Sequence, residues 1–102
     1  MKRTTVYRAH VRGFKYHDGP GVLPQLRVGD ALELEREPHN AHDANAVAVR
    51  WQGRQLGYLP AVENVSLATM LDQGLPLEAR ISSLDPEAPA WGVCGVEVAL
   101  VA

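Results

Sequence analysis

Hydrophobic and polar positions alternate most cleanly over Ala31–Glu37, where Leu32 and Leu34 point one way and Glu33 and Glu35 the other. That period of two predicts a strand with one buried face, ended by Pro38. Thr4 to Phe14, rich in Thr, Val and Tyr, reads as an earlier strand, with Tyr7, Ala9 and Val11 on one face and Arg8, His10 and Arg12 on the other. Between them, Lys15–Pro24 carries Asp18-Gly19-Pro20-Gly21 and is expected to be a loop. His39–Asn45 is a polar loop of turn formers. Ala46–Trp51 resumes as strand, and Gln52-Gly53-Arg54 is a tight turn into a further strand, Gln55–Leu59.

Pro60 suits the first turn of a helix running to about Gln73, with Gly74 as its stop. Leu67, Ala68, Met70 and Leu71 share one face of that helix, while Val65 lies off it. Leu75–Leu84 and Gly95–Val101 read as two more strands joined by the proline-containing loop Asp85–Gly92. Short strands, regular turns and one helix predict a small barrel or a sheet with a helical plug.

Composition narrows the classes. The 102 residues, read as one domain spanning 1–102, are 46% hydrophobic and 22% charged, so a packed core is expected. No apolar run approaches the roughly 18 residues of a membrane span, and the N-terminus has no signal-peptide stretch, which predicts a cytoplasmic protein without membrane contact. Cys94 is the single cysteine, which excludes an internal disulfide, and it is expected to be a small core hydrophobe.

The net charge of −2 argues against a protein that coats nucleic acid by neutralising phosphates. Charge is unevenly spread, however. Residues 1–54 hold nine basic and six acidic side chains, and residues 55–102 hold one and six. A small anion site in the first half fits this split; a long basic track does not.

No Walker-type phosphate loop and no nucleophile elbow is present. His39, His42 and Asp43 could in principle hold a divalent metal and support hydrolysis, but His-x-x-His in a loop has no fixed face, and ordinary surface histidines are the better expectation. The protein is expected to be no enzyme, with neither cofactor nor metal. Asn and Asp in 36–49 can cap turns through their own backbone. Turn-capping does not account for Gly57-Tyr58-Leu59-Pro60 or for Gly13-Phe14-Lys15-Tyr16. Aromatics mixed with amides and a basic group around a barrel mouth suit the stacking of unpaired bases.

These residues resemble a known family. Arg36-Glu37-Pro38-x-Asn40-x-x-Asp43-x-Asn45-Ala46-Val47-x-Val49, followed by Gly57-Tyr58-Leu59-Pro60 and preceded by Val11-x-Gly13-Phe14-x-Tyr16, is similar to the HIRAN domain over roughly Thr5–Val101. The resemblance implies a mainly β fold, an OB-like β-barrel of about six strands with one or two short helices. It also implies binding of single-stranded DNA at free 3′-hydroxyl ends, in repair or replication, with a helicase or nuclease as working partner. By resemblance, Asp43 stands where an aspartate accepts the terminal hydroxyl, Tyr16 where an aromatic stacks on a terminal base, and Asn40 where a polar residue lines the pocket. Lys15 replaces an arginine to phosphate, keeping the charge and losing the fork. His42 and His17 replace tyrosines and would add pH dependence near neutrality. Tyr58 stands in place of a histidine, Ala61 in place of a phosphate-holding lysine, and Trp91 supplies the late aromatic. A different class, a protein-interaction module using an exposed strand edge without binding DNA, would show an apolar edge that the alternating strands lack.

Overall fold

The computed structural model describes residues 2–61 and 64–102. In chain order the elements are β1 (Arg3–His10), α1 (Gly19–Val22), β2 (Ala31–Glu37), β3 (Ala46–Trp51), β4 (Arg54–Tyr58), α2 (Asn64–Asp72), β5 (Leu77–Leu84) and β6 (Cys94–Val101). Short 3-10 turns occupy Phe14–Tyr16, Leu23–Gln25 and Ala90–Gly92. The strands form one antiparallel sheet in the order β1-β6-β5-β2-β3-β4. This is the mainly β, OB-like architecture expected, with two short helices.

The sheet coils because β2 divides its partners. Ala31 and Leu32 pair with Arg80 and Ala79 of β5, whereas Glu33 to Glu37 pair with β3. Coiling brings the outer edges together, but the ladder does not close into a full barrel. Among the described residues a single bridge joins them: Arg12 N donates to Tyr58 O at 2.8 Å, and Tyr58 N donates to Arg12 O at 2.9 Å. Gly57 permits this approach. Its φ is +151°, and a Cβ there would run into the Arg12 carbonyl oxygen and meet Val11 Cγ1 at 2.7 Å. Alanine therefore fits neither the backbone conformation nor the space.

Alternation sets the core. Val47, Val49 and Trp51 of β3 face inward to meet Leu32, Ile81, Val96 and Leu67. The indole of Trp51 donates to Asp30 Oδ2 at 3.1 Å, so the ring is buried with its polar atom satisfied. Leu67 and Ala68 bury the inner face of α2, and Val65 is exposed, as the helical spacing predicts. Cys94 is buried, and desolvation pushes its thiol up to about 12, so it stays neutral.

Boundaries differ from the pattern in places, each for a local reason. β1 ends at His10, not Phe14, because Arg12 leaves the β6 ladder to bridge Tyr58 and Gly13 turns the chain at φ +75°. Lys15–Pro24 is not all loop: Pro20 lies in the first turn of α1, where its missing N–H costs nothing. β5 starts at Leu77, after Pro76. The described part of the second helix is Asn64–Asp72; its expected start at Pro60–Glu63 falls partly outside the described residues. No described helix is long and apolar enough to cross a membrane.

Candidate functional site

The loop after β2 is built by its own polar residues. Asn40 Oδ1 accepts the backbone N–H of His42 at 2.9 Å and of Asp43 at 3.1 Å, while its amide donates to Glu37 Oε1 at 3.0 Å. Arg36 anchors the loop from outside. It forks onto Asp72 of α2 at 2.9 and 3.2 Å and donates to the carbonyls of Ala46 and Ala44 at 2.8 and 3.0 Å. Arg36 and Asn40 thus shape the loop, and Asp43 sits half-buried within it between the exposed His42 and Ala44.

Asp43 is held on both oxygens. Oδ2 accepts from the Asn64 side-chain amide at 2.8 Å, and Oδ1 accepts from the Asn45 backbone at 2.9 Å. These two bonds, with the Arg36 charge behind them, outweigh partial desolvation and keep the carboxyl below its ordinary value of 3.8. Asn64 is itself buried, so the partner of Asp43 is fixed in the core. A carboxylate offers about four lone-pair sites, and two remain for a donor from outside.

Asp43 lines a pocket of about 410 Å³ with Arg12, Asn40, His42, Ala46, Tyr58, Leu59 and Ala61. The volume lies within the roughly 300–1,000 Å³ of small-ligand clefts. Its lining is mostly apolar, with charge at Asp43 and Arg12. The Tyr58 hydroxyl donates to Glu37 Oε1 at 2.8 Å, the same oxygen that receives the Asn40 amide, so ring and loop share one acceptor.

A second, more polar pocket of about 430 Å³ lies alongside, lined by Tyr16, His17, Asp18, Arg50, Gly53 and Gln55. His17 joins the two, meeting Tyr58 edge to face at 5.7 Å between ring centroids. Tyr16 is 77% exposed, and the Lys15 ammonium sits 5.2 Å from its ring centroid. Trp91 is 60% exposed on the 3-10 turn Ala90–Gly92, which packs against the Phe14–Tyr16 turn.

The eight residues singled out from the sequence therefore fall into two groups. Asn40, His42, Asp43 and Tyr58 line the first pocket; Tyr16 and His17 line the second; Lys15 and Trp91 lie beside the second group and line neither. Among the described residues no three His, Cys, Asp or Glu side chains form a metal-ligand cluster, which leaves the His39, His42 and Asp43 grouping without a built site. Sequence reasoning missed Arg12, Glu37 and Asn64. The outward alternation of β1 gives a signal for Arg12, but nothing local marks Asn64, whose partner is twenty-one positions away.

Comparison with known proteins decides the family. The HIRAN domain pattern matches residues 5–100. The chain belongs to the HIRAN domain family. It is 35% identical over 80 residues to the helicase-like transcription factor of the rabbit, Oryctolagus cuniculus, covering 78% of this chain and 7% of that protein. The HIRAN chain therefore spans a small part of that relative's length. A crystal structure of a protein from Lactobacillus plantarum superposes with a TM-score of 0.83 at 30% identity, covering 97% of this chain and 95% of the other. The HIRAN domain of human HLTF superposes at 0.73 with 22% identity, covering 96% and 78%, and supports the fold.

Proposed function

We propose that this HIRAN chain is a binding module, not an enzyme, that takes the free 3′-hydroxyl end of single-stranded DNA. Family membership supports a DNA-binding module in general. The finer reading is carried by Asp43: an ionised carboxylate braced from behind by Asn64 and Asn45, at the wall of a mostly apolar pocket beside Tyr58. Its two remaining lone-pair sites accept a hydroxyl proton. A strand that continues past this point would press a phosphate against the carboxylate, and like charges reject it. The ligand is thus selected by a group that only a terminus has.

Around this centre the other residues take graded roles. Tyr58 and the histidines His42 and His17 offer ring faces, Tyr16 and Trp91 offer exposed aromatic area, and Lys15 supplies charge near Tyr16. Few phosphate contacts suffice for an end-reader, which agrees with the net charge of −2. Delivering such ends to a helicase or nuclease, in repair or replication within the cytoplasm, is the role this reading favours.

The test is fluorescence anisotropy with a short strand labelled at its 5′ end and finished in either 3′-hydroxyl or 3′-phosphate. Binding of the hydroxyl strand, at least tenfold weaker with the phosphate strand or with Asp43→Ala, is expected. Equal binding of both ends, unchanged in Asp43→Ala, would overturn the reading.

A further inference from the structure

Arg12 stands apart from almost every other arginine of the chain. Arg3, Arg8, Arg36, Arg50 and Arg54 form ion pairs, and Arg27 donates to two backbone carbonyls. Among the described residues, the side chains of Arg12 and Arg80 alone of the arginines have neither hydrogen bond nor ion pair. Of these two, only Arg12 lines a pocket, and it is the pocket of Asp43.

The position of Arg12 is set by the fold. Its backbone is bridged to Tyr58 by both hydrogen bonds of an antiparallel pair, so the two side chains leave the sheet on the same face. Both line the pocket, with the guanidinium root fixed beside the Tyr58 ring. Asp43 enters from the β2–β3 loop, and no ion pair joins it to Arg12. One cavity thus holds a carboxylate and an uncommitted guanidinium that do not neutralise each other. Such a pocket suits a ligand carrying a hydroxyl at one end and an anion at the other, with an apolar body between.

We propose that Arg12 binds the phosphodiester joining the terminal nucleotide to the rest of the strand, while Asp43 accepts the 3′-hydroxyl of that nucleotide. This rests on the end-binding reading above and adds to it a second fixed point. The guanidinium fork matches two non-bridging phosphate oxygens. Two points of opposite preference also set direction. A 5′-phosphorylated end placed in the pocket would set a phosphate against Asp43 and be rejected by like charge.

The experiment uses the full chain and the same 5′-labelled strand with a 3′-hydroxyl, made either natural or with an uncharged methylphosphonate at its last linkage. Wild-type protein should bind the methylphosphonate strand about tenfold more weakly. Arg12→Gln should bind the natural strand about as weakly and be indifferent to the methylphosphonate. Its salt dependence should be shallower by about 0.7 in log–log slope. Arg12→Lys should recover part of the affinity. Because the Arg12 side chain is exposed, melting temperatures should match and a folding defect is not the explanation.

Arg12→Gln binding the natural strand as wild type does, or remaining equally sensitive to the methylphosphonate, overturns the proposal. If wild type still prefers 3′-hydroxyl over 3′-phosphate in that case, only the Arg12 assignment fails. If the two ends bind alike, the end-binding reading fails. No binding of either strand by wild type overturns both.

Discussion

The two sides of the pocket pair are built in opposite ways. On the Asp43 side, side-chain hydrogen bonds of Arg36, Asn40, Glu37 and Asn64 hold one loop. On the Tyr16 side, a 3-10 turn presents aromatic and basic side chains that are largely exposed and tied mainly through their backbone. A rigid side can discriminate, because a ligand that misfits leaves fixed groups unpaired. A loose side can add affinity without asking for a sequence, since every base has a stacking face. The proposed end reading thus places selectivity and adhesion on separate sides, with His17 and Tyr58 in contact at the border.

The strongest way to break this contrast is Gly57→Ala. The new Cβ collides with the Arg12 carbonyl at a φ of +151°, opening the bridge that holds Arg12 and Tyr58 together. A loss on the order of 3 kcal/mol is expected in denaturant unfolding. Stability equal to wild type would mean that the edges need no clasp.

Next comes a crossed pair. Arg36→Ala removes two carbonyl caps and the fork on Asp72, and should cost about 2 kcal/mol together with end discrimination. Most of that loss belongs to the carbonyls, because Asp72 is more than half exposed and its ion pair is screened. Tyr16→Ala should change stability by less than about 0.5 kcal/mol, yet weaken every strand alike by about 1–3 kcal/mol of stacking. The comparison collapses if both variants lose discrimination.

The smallest effect concerns pH. The Asp43 carboxyl is lowered by folding, so its contribution to stability is present above its ordinary value of 3.8 and is lost as pH falls through the lower folded value. Asn64→Ala removes the largest cause of that lowering. The carboxyl resonance of Asp43 should then titrate at higher pH, nearer its ordinary value, and the part of the stability that acid removes through Asp43 should shrink. An unmoved titration would show that the Asn45 backbone suffices.

Much of the frame was legible in the chain. Leu32 and Leu34 against Glu33 and Glu35 marked β2 to the residue, and Leu67, Ala68, Met70 and Leu71 marked the buried face of α2. Local rules reach that far because they concern neighbours one turn or one pleat away. They failed where distant chain segments meet. The end of β1 at His10 depends on Tyr58, and the bracing of Asp43 depends on Asn64. The motif residues Arg36 and Asn40 could be recognised by their spacing, yet only their bonds reveal that they shape the loop. Arg12 carried no local mark of its freedom, since an absent partner is a property of the whole fold.

The placement of the two tryptophans gives this protein a built-in optical readout. Trp51 is sealed in the core against Asp30, whereas Trp91 stands in solvent next to the Tyr16 turn. A collisional quencher reaches the second and not the first. Emission that survives quenching therefore follows unfolding, and the quenchable part follows whatever covers the adaptable side, so one unlabelled sample distinguishes occupancy from collapse.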